Sequence, residues 1–236
     1  MNLDKVNFKD ISNRKHSHLN PVSNKNHFMY GFNKYKLIWI FSMGCFAGTI
    51  IEMIFGLVKY GTLESRSSMV IGPFNLVYGL GALVLTVGIH YLSKRSYPRV
   101  FLMGILLGTG VEFICSFVQE KLFGTVSWDY SSSPLNLYGR VHLLYSVFWG
   151  VLAILWIKWI EPIIERYLDR IPDEIGRKIA LFLVAFFILD TALSGMAVYR
   201  WTMRLDGVAA HGRLDIFLDT ILPNSTMKVI YPNMIF

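Results

Sequence analysis

Three acids stand where acids are costly. Glu52, Glu112 and Asp190 each interrupt a long apolar run. An ionised carboxylate at the centre of a membrane helix costs at least ~2.5–3.5 kcal/mol on insertion scales, so such groups face a bundle interior or a water-filled cavity. Their neighbours point the same way. Ser42, Cys45, Thr49 and Glu52 fall on one helical face, Glu112, Ser116 and Gln119 on another with Glu120 at its edge, and Asp190 with Ser194 on a third. Three polar stripes on three helices predict one shared interior site that would favour a cation, a protonatable amine or a proton. Arg66, Arg140, His142, Arg200 and Arg204 are expected near the outer ends of the helices, where an Arg–carboxylate pair satisfies both groups. The same pairs could instead only lock helices together, and spacing alone leaves that open.

Other chemistries lack their residues. The chain has no GxxxxGK[ST], Rossmann GxGxxG, GxSxG or HExxH motif, so neither nucleotide binding nor nucleophilic or zinc hydrolysis is expected. The six histidines are dispersed, and no metal site or cofactor is expected. Cys45 and Cys115 read as small packing residues inside apolar segments.

The elements that must carry the acids follow from composition. Of 236 residues, 53% are hydrophobic and only 17% charged, which suits a polytopic all-α membrane protein. Five segments reach the ~20 residues needed to cross a bilayer, near 37–59, 69–92, 100–123, 141–160 and 179–199. Residues 1–36 read as a mobile polar extension with no cleavable signal peptide. Seven Lys/Arg lie in 1–36, three in 93–99 and five in 158–178, against eight elsewhere. This distribution predicts an N-terminus inside and a C-terminus outside, and it makes the net charge of +7 topological rather than a nucleic-acid site. Residues 158–178, with Pro162 and Pro172, suggest an amphipathic helix at the cytoplasmic interface. The 201–236 tail suggests one short helix near Leu214–Leu218.

The chain also repeats itself. Gly48-Thr49-x-x-Glu52 leads through Gly61-Thr62 to Pro73-x-Asn75-Leu76-x-Tyr78-Gly79, and Gly108-Thr109-x-x-Glu112 leads through Gly124-Thr125 to Pro134-x-Asn136-Leu137-Tyr138-Gly139. Two parallel hairpins, helices one and two and helices three and four, are therefore expected across 48–79 and 108–139, within a 37–200 membrane domain. Glu52 and Glu112 should face each other across the pseudo-twofold axis. Gly72-Pro73 lies within an apolar run, so this loop is either a plain helix start or a re-entrant segment. Asn75 and Asn136 would cap or cross-link the two breaks. Only the second copy carries Trp128-Asp129-Tyr130-Ser131, which reads as an interface belt or as a lid beside Arg140.

The run from Glu52 through Gly72-Pro73-Phe74-Asn75-Leu76-Val77-Tyr78-Gly79, Glu112, Glu120, Trp128-Asp129-Tyr130-Ser131, Asn136-x-x-Gly139-Arg140 and Ser146-x-x-Trp149-Gly150 resembles a bacterial family labelled "putative ABC-transporter type IV", the CmpB-like permeases. The resemblance covers about residues 37–200 and extends to the closing Tyr231-Pro232-Asn233-Met234. It implies a multi-pass protein of the bacterial inner membrane with a transport role, membrane lipids around it and a separate ATPase subunit as a partner. It supplies no substrate. The expected function is a permease-like component whose outward cavity is lined by Glu52, Glu112, Asp190 and Arg140, with Asn75, Asn136, Glu120, Trp128 and Asp129 near it. Two rivals stay open. One is an integral-membrane enzyme acting on a lipid or envelope precursor, with Glu112 or Glu120 as base and Arg140 clamping the head group. The other is a structural or regulatory membrane partner.

Overall fold

The computed structural model describes residues 33–92 and 96–236. The expected N-terminal extension (residues 1–32 of it) and part of the basic turn at 93–99 lie outside the described residues. The described chain is predominantly helical, with almost no sheet. It comprises α1 (Lys34–Tyr60), α2 (Leu76–Leu92), α3 (Tyr97–Phe123), a short β1 (Asn136–Leu137) and β2 (Val141–His142), α4 (Leu143–Leu155), a π turn (Trp156–Ile160), α5 (Glu161–Leu168), α6 (Asp173–Leu205), α7 (Arg213–Ile221) and α8 (Asn224–Ile230).

Four helical stretches are long and apolar enough to cross a membrane: 34–60, 97–123, 143–168 and 173–205, with α2 a shorter apolar helix. Large aliphatic and aromatic side chains cover their outer faces, among them Ile51, Ile54, Leu106, Phe182 and Leu189. Water would not tolerate so continuous a surface, whereas lipid would.

Local chemistry sets the helix ends. Asn33 opens α1 by accepting from the Tyr35 and Lys36 amides at 3.0 and 3.1 Å. Gly61 and Gly124 close α1 and α3 in the left-handed conformation that glycine adopts without a Cβ clash. Asp173 and Glu174 sit in the first turn of α6, where the helix dipole favours them.

The chain runs alternately between two ends of the bundle. At one end Lys36 of α1 pairs with Glu161 and Glu165 of α5, and the Trp39 indole donates to the Gly176 carbonyl of α6 at 3.1 Å. At the other end Val126, just past α3, bridges Ile235 near the C-terminus.

Several expected boundaries move. The amphipathic 158–178 segment does not stand apart, since α4 continues through the π turn into α5. Pro162 lacks an N–H and would clash in a regular helix interior, and a wide turn just before it relieves both problems. The fifth segment, α6, extends well beyond 179–199. The tail holds two short helices rather than one, and both pack on α6 through Trp201, Leu218, Leu222, Met227 and Tyr231.

The largest change concerns the second segment. Helix begins only at Leu76, and residues 61–75 are irregular. Yet this stretch is not a surface loop. The Asn75 amide donates to the Cys45 carbonyl at 3.0 Å, and Cys45 lies about fifteen residues before the end of α1, or ~22 Å at 1.5 Å per residue. Met69 is fully buried against Cys45 and Phe187. The loop therefore descends alongside α1 before turning helical, the re-entrant alternative. Irregular backbone at such depth needs protein partners for its polar groups, and they are present. The Ser67 hydroxyl has the carbonyls of Met69, Gly72 and Phe74 as alternative acceptors for its one hydrogen, at 2.8, 3.0 and 2.9 Å, Asn75 caps α2 by accepting from Val77 N–H at 3.0 Å, and α6 accepts the Val70 and Ile71 amides.

Candidate functional site

The site is built by one packing pattern used twice. Gly44 and Gly48 of α1 face Tyr78, Gly79 and Ala82 of α2, while Gly104 and Gly108 of α3 face Trp149, Gly150 and Ala153 of α4. The approach is close enough that a Cβ on Gly48 would lie 2.2 Å from that of Tyr78, and one on Gly108 only 2.2 Å from Cγ of Trp149. Glycine is required here for helix contact rather than for its dihedral freedom. One turn beyond each glycine pair sits an acid. The Tyr78 hydroxyl donates to Glu52 Oε1 at 2.6 Å, and the Trp149 indole donates to Glu112 Oε2 at 3.4 Å. The rings of Tyr78 and Trp149 are 6.1 Å apart and tilted by 32°. The Trp149 ring also reaches Gly81 of α2. Each hairpin thus delivers one carboxylate and one aromatic donor to the junction between the two.

Sequence letters misaligned the second half of this repeat. The likeness of Pro73-x-Asn75 to Pro134-x-Asn136 pairs a helix start with a β-hairpin: Asn136 lies in β1, opposite His142. The spatial equivalents are Tyr78-Gly79-x-x-Ala82 and Trp149-Gly150-x-x-Ala153. That signal was legible as an aromatic donor, a glycine and an alanine at matching intervals.

Tyr130 completes the junction. Its phenol interacts with Glu112, and its ring lies 5.2 Å from that of Tyr145. Burial pushes this phenol well up, and the Glu112 charge adds to the effect. Glu112 is 93% buried, Glu52 half-buried. Among the described residues neither carboxylate forms an ion pair, and a carboxylate offers about four acceptor positions. Among the described residues only neutral donors serve these two acids.

The other expected residues fall elsewhere. Asp190, 1% exposed, does not join Glu52 and Glu112, so the three polar stripes do not converge. It accepts the Ile71 amide at 3.1 and 3.3 Å and the Ser194 hydroxyl at 3.3 Å, while Ser194 accepts the Val70 amide at 2.8 Å. Its role in the fold is to hold the descending loop. Arg140 pairs with Glu120, bonds Ser116 Oγ at 3.3 Å and lies over the rings of Phe113 and Phe117. Trp128 donates to the Arg140 carbonyl at 2.8 Å and so fixes that residue's backbone. Asp129 does not pair with Arg140. It accepts both the hydroxyl and the amide of Ser131, at 2.6 and 2.8 Å, which hold its carboxyl below the usual range. Asn136 closes a turn, donating to Ser133 O and accepting from Gly139 N–H. Asn75 donates to Arg66 O at 3.0 Å. Arg200 and Arg204 turn to the tail, where both bind Asp219.

Among the described residues no group of three or more His, Cys, Asp or Glu could hold a metal ion. No curated protein and no solved structure matches the chain. A family model does, over residues 39–195, which takes in both hairpins, the descending loop and most of α6. The glycine-packed hairpins and their two acids thus lie wholly inside the matched region, and the chain belongs to the membrane-protein family described as "Putative ABC-transporter type IV".

Proposed function

We propose that the chain is the permease-type membrane subunit of a transport system, and that it binds a small cationic substrate at the junction of its two hairpins. One observation carries this reading: Glu52 and Glu112 each take a neutral aromatic donor, Tyr78 and Trp149, whose rings lie 6.1 Å apart, and among the described residues no cationic side chain pairs with either acid. A carboxylate pair served only by neutral donors favours an incoming positive charge, and aromatic faces add cation–π attraction of ~0.5–2 kcal/mol. The family description supports a transport role and, with it, a separate ATPase as partner. The distribution of Lys and Arg supports insertion in a bacterial cytoplasmic membrane with the Lys36 end of the bundle inside.

The test is binding of a panel of amines and inorganic cations to the purified full chain, in wild type and in Glu112→Gln. Glutamine keeps an acceptor for the Trp149 indole, so folding should hold while cation affinity falls at least tenfold. Unchanged affinity in a folded Glu112→Gln protein would sink the proposal.

A further inference from the structure

A second site lies farther along the same α3–α4 seam, one helical turn from Glu112 and Trp149. A groove of about 380 Å³ opens between α3 and the 135–143 hairpin, lined by Leu106, Thr109, Leu135, Leu137, Leu143 and Ser146 among others. The side-chain polar atoms on its wall are already engaged. Thr109 donates to Ser146 Oγ at 2.8 Å, Ser146 donates to the His142 carbonyl at 3.4 Å, and the Asn136 amide is used within its own turn. A polar occupant would give up water and gain no bond in return, whereas hydrocarbon has nothing to give up.

Two independent features sharpen this. Leu135 holds φ at 59°, a left-handed backbone that disfavours a side chain by ~1–2 kcal/mol and that glycine would adopt freely. The position nevertheless carries a leucine, and that leucine forms a wall of the groove. The groove also continues into a track on α3. Arg99, Leu102 and Leu106 follow i, i+3, i+7 spacing, all three are exposed, and Arg99 has no ion pair among the described residues. From Arg99 to Thr109 is about ten residues, ~15 Å along the helix, which matches half of a ~30 Å hydrocarbon core. In the sequence Lys94 and Arg95 stand just before it.

We infer that this track binds one anionic glycerophospholipid, with its phosphate at Arg99 and one acyl chain running over Leu102 and Leu106 into the groove beneath Leu135. The membrane-facing stripe of α3 leads into the groove without a polar break, so a bilayer lipid enters sideways. The site is separate from the carboxylate junction and stands whether or not that junction binds cations.

The experiment is native mass spectrometry of the detergent-purified full chain titrated with phosphatidylglycerol or phosphatidylcholine of identical acyl chains. One phosphatidylglycerol per chain should be retained, about fivefold more tightly than phosphatidylcholine, the worth of one basic side chain at an anionic surface. Arg99→Gln should erase that preference and leave acyl binding. Leu135→Gly removes the wall and relieves the backbone, so the fold should persist by circular dichroism while retention of both lipids drops about fivefold. Equal binding of the two lipids by wild type overturns the inference. So does undiminished retention in Leu135→Gly, or loading by several interchangeable lipids.

Discussion

Replacing Asp190 by alanine should loosen the descending loop without unfolding the bundle. The Ile71 amide shares its hydrogen between both Asp190 oxygens at 3.1 and 3.3 Å, and the carboxylate is 1% exposed. Removing the acceptor leaves a part-buried donor unsatisfied, at a cost of ~1–3 kcal/mol where lipid rather than water surrounds it. The neighbouring Val70 amide keeps its bond to Ser194, so the damage is local. Taking ~2 kcal/mol as the midpoint, and a tenfold change per ~1.4 kcal/mol, local opening should rise about 30-fold. Amide hydrogen exchange over a peptide covering residues 66–75, in mild detergent, reads this directly. Asp190→Asn retains an acceptor and should change exchange less than about threefold. Equal protection in wild type and Asp190→Ala would refute the assignment of this bond. Equal loss in both variants would show that the charge, rather than the acceptor, holds the loop.

Two further outcomes test the packing and the tail. Gly108→Ala places a Cβ 2.2 Å from Trp149 Cγ and should destabilise the detergent-solubilised protein by about 2 kcal/mol or more, whereas Gly110→Ala, with nothing within 4 Å, should be neutral or stabilising by up to ~1 kcal/mol in thermal unfolding. Arg200, with Arg204 beside it, holds the Asp219 carboxyl down to about 2 from an ordinary value near 3.8. Because the folded-state value is depressed, the clasp contributes fully above about pH 4 and weakens as pH falls toward 2. Trp201 emission should report tail release across that window, and Asp219→Asn should abolish the pH dependence.

Much of this arrangement is legible in the residues themselves. Hydropathy located the long helices, and the 42, 45, 49, 52 spacing put Glu52 on the inward face of α1, where Ser42, Cys45 and Thr49 are buried. The paired Gly-Thr-x-x-Glu segments identified two helices with equivalent packing. What escaped was set by distance along the chain. Asp190 lay on a polar stripe, but its partner is a backbone amide 119 residues away, and backbone amides carry no letter. The likeness of Asn75 to Asn136 misled because shared letters count identity, while helix packing asks only for a ring with a donor over a glycine. Tyr78 and Trp149 satisfy that without being the same residue. Arg140 was correctly placed near acids, but it chose Glu120, one turn past Ser116 on its own side of α3, over Glu112, which Trp149 and Tyr130 already cover.

The dependence of the descending loop on α6 also sets an order of assembly. A ribosome delivers α1 and the 61–75 stretch long before Asp190 and Ser194 exist. Until α6 arrives, the amides of Val70 and Ile71 have none of their final acceptors, and lipid supplies no substitute. The nascent first hairpin must therefore keep this stretch near water, or in the care of the insertion machinery, and draw it inward only at the end. The first half of the repeat is made first and finished last.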